Sequence, residues 1–162
     1  FLSVLLHTMG TIIKDTAIIM EEVRKLISEG LTVELTAKGY SMNPFIMHMR
    51  DQVVLGPFSD TDIRKGATVL VKDIKGNYIL HRIIRRDGDR ITLMGDGNIN
   101  LTETANVDEI IGVLYSIKRK GRTYSTEGFI WRLYSSIWSA LTPLRRWPLG
   151  LWRRLNPQKP LR

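Results

Sequence analysis

The spacing of apolar positions changes twice along the chain. In "TIIKDTAIIMEEVRKLISEG", Ile12, Ile19, Val23, Leu26 and Ile27 fall near one face at helical spacing, with Ile13 and Met20 beside them. Asp15, Glu22, Lys25 and Glu29 take the opposite face. This pattern predicts a helix over 11–29 that lies on a core and stops at Gly30. From Leu31 the period becomes two. Strands are predicted in "LTVELTAKG", in "DQVVLGP" and over Ala67 to Lys72. A hairpin is predicted from Tyr78 to Arg85, an Asp-Gly turn at 87–88 and Arg90 to Met94. "VDEIIGVLYSIKRKGRTYS" predicts a further strand or hairpin around Gly121. From Phe129 the helical period returns, with Ile130, Leu133, Tyr134, Ile137, Trp138 and Leu141 on one face. Pro143 should end that helix, and "LRRWPLGLWRRLNP" should be a shorter amphipathic piece broken at Pro148 and Gly150.

These periods predict a mainly β chain of the α+β class. A body over 31–126 follows an N-terminal helix and precedes an amphipathic helical tail. The expected organisation is an extension over 1–8, a main domain over 9–126 and a tail over 127–162.

Charge changes the reading of the tail. The 162 residues carry a net charge of +8. From Phe129 onward there are seven Lys or Arg and no Asp or Glu, so the body is close to neutral. All four tryptophans, Trp131, Trp138, Trp147 and Trp152, also lie in the tail. A basic, Trp-rich segment suits an anionic surface, and residues 129–155 are the expected contact with a membrane. The alternative is that this helix packs on the protein's own core and buries its tryptophans. The body has no nucleic-acid signature, which disfavours nucleic acid as the partner. No apolar run is long enough to span a bilayer, and the opening "FLSVLLHT" is too short for a signal peptide. The expected location is cytoplasmic, peripheral on the inner membrane.

There are no cysteines and three histidines, His7, His48 and His81, so thiolate chemistry is excluded and a multi-histidine metal site nearly so. No cofactor is expected. In "AKGYSMNPF", Ser41 follows a Gly-Tyr turn. A serine hydroxyl needs a base within hydrogen-bond reach to act as a nucleophile. The bases available to it in the body are Lys38, Lys65, Lys72, Lys75, His48 and His81. His81 lies mid-strand in "YILHRII", where alternation places it with Ile79, Ile83 and Arg85, opposite Tyr78, Leu80, Arg82 and Ile84. A neutral imidazole is cheap to place beside apolar side chains and can accept a proton. Spacing alone leaves two readings open: a turn serine with a structural histidine, or a nucleophile with its base.

Five segments together resemble a known group. "KGYSMNPFI" is similar to the Gly-x-Ser-Met-x-Pro box of the signal peptidase and LexA-like serine peptidases. "MRDQVVLGP" and "RKGATVLVKD" resemble two of their strands, with Arg50 in place of a Gly and Ala67 in place of an Asp. "YILHRII" is similar to the strand carrying the general base, "LMGDGN" to the Gly-Asp-x-Asn box, and "DEIIGVLYSI" to the closing strand. The resemblance covers roughly residues 33 to 118 and implies a β-ribbon body. It implies Ser41 as nucleophile and His81 as base, as in the Ser-His branch of the endoplasmic reticulum and archaea. Asp96 in the Gly-Asp-x-Asn box is the best acidic candidate to orient His81. That branch also carries a second Asp a few residues on, where this chain has only Thr102 and Glu103, so the acid serving His81 stays open.

The resemblance also implies an oxyanion hole at the Ser41 N–H, with Gly39 and Tyr40 shaping the turn and Met42 and Pro44 walling the site. The expected function is a serine endopeptidase acting on an extended peptide or leader segment. The competing expectation is a peptide-binding or regulatory module on the same scaffold.

Overall fold

The computed structural model describes residues 16–157; the expectations for 1–8, the helix start at 11–15 and the last five residues lie outside them. Helix α1 spans Thr16–Ser28, and eight strands follow. These are β1 (Val33–Thr36), β2 (Asp51–Gly56), β3 (Thr68–Lys72), β4 (Tyr78–Asp87), β5 (Arg90–Met94), β6 (Glu103–Asn106), β7 (Ile110–Arg119) and β8 (Arg122–Ser125). Helices α2 (Phe129–Ala140) and α3 (Arg146–Leu155) close the described chain. The fold is the α+β class expected, a curled antiparallel sheet with three helices.

The sheet runs β1-β2-β7-β3-β4-β5-β6. β7 organises it. One edge pairs with β2, while the other pairs with β3 near Ile110–Val113 and with β8 over Ser116–Arg119. Its side chains alternate between two apolar clusters. Ile111, Leu114 and Ile117 face a cluster with Met20, Val23 and Ile27 of α1; Ile110 and Val113 join Val69, Val71, Ile83, Ile91 and Leu93. Full burial of each such α1 side chain stabilises by about 1.5–3 kcal/mol. The helix approaches β7 at Gly112, where an added Cβ would lie 2.6 Å from Ile27 Cδ1. Arg24 pins the helix laterally by donating to the carbonyls of Asp108, Glu109 and Ile110.

Three local expectations shift. The β4–β5 hairpin turns at Gly88–Asp89, because Asp87 pairs with Arg90 and belongs to the strand. β6, in the polar "ETAN", was not foreseen; pairing with β5 makes it a strand. Residues 146–155 form one unbroken helix. Pro148 sits in its first turn, where an N–H would have no intrahelical partner in any case.

The tail packs on the body through part of its surface. Trp138, Ser135 and Leu149 are buried, and Trp131 packs against the α1 cluster. Ile130, Leu133 and Ile137, expected to share one face with Trp138, are exposed. The packing expectation holds for part of the tail. Two tryptophans turn inward, and an apolar stripe is left outside.

Candidate active site

Ser41 lies in the loop between β1 and β2. The loop is closed at its base by Ala37 N–H to Asp51 O at 2.9 Å and Met49 N–H to Ala37 O at 2.8 Å. Asp51 is a buried anchor. It accepts from Arg50 Nε at 2.8 Å, Arg119 Nε at 2.9 Å and the Met47 N–H at 2.8 Å. Arg119 also donates to the Phe45 carbonyl. Burial opposes ionisation of Asp51, but the Arg50, Arg119 and Met47 hydrogen bonds outweigh it and hold the pKa down at about 2.

Within the loop, Gly39 takes φ +104°, a conformation that side chains disfavour, and its N–H donates to His48 Nδ1 at 3.0 Å. The Tyr40 ring packs against His48. His48 therefore shapes the Ser41 turn. The Asn43–Pro44 peptide is cis, Met42 is buried and Pro44 is partly buried.

The Gly95–Asn98 turn presses on this loop. Gly97 N–H donates to the Ser41 carbonyl at 2.7 Å, and Asp96 N–H to Met42 Sδ at 3.5 Å. At Gly95 there is no room for a side chain. A Cβ there would lie 2.3 Å from Ser41 O and 3.0 Å from His81 Nε2. So β5, on leaving the sheet at Met94, carries its continuation against both the Ser41 carbonyl and the His81 ring.

His81 is 4 % exposed. Its Nδ1 lies 2.9 Å from Glu103 Oε2. A carboxylate can only accept, so Nδ1 carries the hydrogen; in the neutral ring Nε2 is then the acceptor. Ser41 and His81 line one narrow cleft, with Ala37, Gly39, Met42 and Ile79, of about 30 Å³. That is room for about one water molecule. No hydrogen bond joins Ser41 Oγ to His81 within it. The Ser41 N–H has no partner among the described residues and remains available to an oxyanion.

Asp96 does not serve His81, and sheet geometry gives the reason. Successive residues of β4 point to opposite faces. Ile83 pairs with Leu93, and Leu93 with Glu103, so His81, Ile83, Leu93 and Glu103 share one face. Arg82 points the other way and pairs with Met94, whose continuation carries Asp96. Accordingly Arg82 Nε donates to Asp96 Oδ1 at 2.8 Å and Nη2 to Oδ2 at 2.7 Å, with both side chains fully buried.

This pair is fully bonded. Arg82 Nη1 donates to Gly66 O at 2.7 Å and Ser135 Oγ at 2.8 Å. The Tyr134 hydroxyl donates to Asp96 Oδ2 at 3.1 Å and Trp138 Nε1–H to Asp96 O at 3.1 Å. Although burial opposes the guanidinium charge, Asp96 outweighs it and holds the Arg82 pKa above its ordinary value. Burial, then the Asp96 charge, push the Tyr134 phenol up, so it stays a donor. From the tail, Arg153 donates to Gly97 O at 2.8 Å. Tail residues thus hold the turn that packs on the Ser41 loop.

Of the expected residues, Ser41, His81, Gly39 and Met42 line this cleft; Tyr40 packs on His48, and Pro44 belongs to the loop without lining the cleft. Asp96 is held by Arg82 rather than by His81. Glu103 was the acid left unassigned. Its strand has no pattern of its own, and only the β5–β6 register puts Glu103 on the face of His81. Two larger depressions, about 590 and 460 Å³, flank α2 and contain neither Ser41 nor His81. Among the described residues no group of three His, Cys, Asp or Glu is placed to hold a metal ion, and no helix is long and apolar enough to cross a membrane. No family model matches the chain, and neither the curated proteins nor the solved structures contain a match.

Proposed function

We propose that the chain is a serine endopeptidase of the kind represented by the signal peptidase and LexA-like group, with Ser41 as nucleophile, His81 as general base and Glu103 as the acid that orients it. One observation carries the reading: the His81 ring is held by Glu103 through Nδ1 at 2.9 Å and lines the same cleft as Ser41.

The chemistry follows from the tautomer. His81 Nε2 accepts the Ser41 hydroxyl proton as Oγ attacks the scissile carbonyl. The imidazolium that forms is stabilised by the Glu103 carboxylate. The carbonyl oxygen, now anionic, accepts from the Ser41 N–H. Nε2 then returns its proton to the leaving amine, and water attacks the acyl-enzyme by the same route. The substrate is an extended peptide, and the resemblance to the signal peptidase group implies small side chains near the scissile bond.

The direct test is covalent labelling with a fluorophosphonate. Intact protein should label; Ser41→Ala should not, and His81→Ala should label at a rate lower by several orders of magnitude. Equal labelling of Ser41→Ala overturns the assignment. A second reading, a peptide-binding module on this scaffold, draws on the unmade Ser41–His81 hydrogen bond and the narrow cleft. It predicts peptide binding by intact protein and Ser41→Ala alike, without turnover by either. Catalytic hydrogen bonds often tighten only with substrate bound, so the peptidase reading stands first.

A further inference from the structure

The outward side of the C-terminal helices combines apolar exposure with unopposed positive charge. Along α2, Ile130, Leu133 and Ile137 recur at helical spacing and are 83 %, 48 % and 50 % exposed. Along α3, Trp147, Leu151 and Leu155 recur every four residues and are 69 %, 62 % and 72 % exposed. The inward sides of the same helices are occupied. Tyr134 and Trp138 bind Asp96, buried Arg145 donates to the Trp138 carbonyl, and Leu149 is buried. The outer stripes are therefore surplus to the fold. A soluble surface seldom leaves so much large apolar side chain in water without an occupant.

Charge selects the occupant. Exposed Arg132, Arg146 and Arg154 accompany the stripes, and no Asp or Glu occurs from Gly128 to the end of the sequence. A second copy seated on this face would bring arginine against arginine with no acid to receive it. We infer that the outer face of α2 and α3 docks on an anionic lipid bilayer, with its apolar stripes in the interfacial zone and its arginines on acidic headgroups. Trp147 is the exposed indole suited to that depth. The inference does not depend on the chemistry at Ser41, because it concerns the opposite side of the helices.

Flotation of the full chain with phosphatidylcholine vesicles, with and without phosphatidylglycerol, tests it. The chain should float with the anionic vesicles and be released by high salt. Arg146→Gln/Arg154→Gln should weaken partition by about 25-fold, at about five-fold per charge. Leu151→Ser/Leu155→Ser should weaken it at unchanged charge. Far-UV circular dichroism and melting should be unchanged in both variants; if the leucine variant unfolds, the arginine variant decides. Failure to float with anionic vesicles, flotation indifferent to the arginine substitutions, or a stable dimer that covers the face in sedimentation would overturn the inference.

Discussion

Replacing Asp96 by Asn separates a supporting role from a chemical one. The substitution keeps the shape of the side chain but removes its charge. Both Asp96 oxygens now accept from Arg82, at 2.8 and 2.7 Å, and neither side chain reaches solvent. An amide can answer only one of those donors, and its NH2 would oppose the other. Arg82 would stay buried with Gly66 O and Ser135 Oγ as its remaining acceptors. Breaking a buried pair from one side costs about 3–5 kcal/mol. One preserved contact places the expected loss near the lower end, about 3 kcal/mol. At roughly 2–4 °C per kcal/mol for a chain of this size, Tm should fall by about 6–12 °C. Urea unfolding followed by circular dichroism, with calorimetry for Tm, reads this directly. Arg82→Met/Asp96→Leu should recover most of the loss, since an apolar replacement of a buried pair is often neutral or better. Fluorophosphonate labelling of Asp96→Asn should persist at temperatures where it is folded, because Asp96 does not touch His81. A variant that melts like the wild type and no longer labels would refute this reasoning and return Asp96 to the chemistry.

Glu103→Gln should lower kcat by on the order of 10³-fold with KM little changed, because a Gln amide can hold the wrong His81 tautomer; Glu103→Asp should restore part of it. A rise in KM at constant kcat would make Glu103 a structural residue only. Gly95→Ala places a methyl 2.3 Å from the Ser41 carbonyl oxygen, where backbone cannot yield; stability should fall by about 1–3 kcal/mol and labelling should drop with it, and an alanine variant with wild-type melting and labelling would contradict the close approach. Asp51, lowered from 3.8 to about 2, contributes stability that is complete above the unfolded value and is lost as pH falls toward 2. The difference amounts to about 2 kcal/mol at 1.36 kcal/mol per pH unit, so acid titration of unfolding free energy should steepen between those values, and the Asp51→Asn profile should be flatter there.

The sequence by itself determined most of the elements and singled out Ser41 and His81 as candidates. Val23 and Ile27 declared the buried face of α1 through spacing, while Met20, expected beside that face, is buried and Leu26 only partly so; "YILHRII" placed His81 on the face of Ile83 because strand alternation is local. The Ser41 loop was legible from Gly39 and the box around it. Only the tertiary structure decided which acid meets His81. Asp96 and Glu103 are both near it in the chain order of motifs, but the distinction between them is one of sheet face, fixed by the β4–β5 and β5–β6 registers. β6 has no hydrophobic pattern of its own and exists through pairing. The tail shows the same division. Its 3.6-residue period named the apolar positions, yet not which would be covered. Trp138 is buried because its indole N–H reaches the Asp96 carbonyl, and Ile137, one residue earlier, stays in solvent. Local periodicity is set by backbone geometry within each element, whereas partner choice depends on how distant elements are brought together.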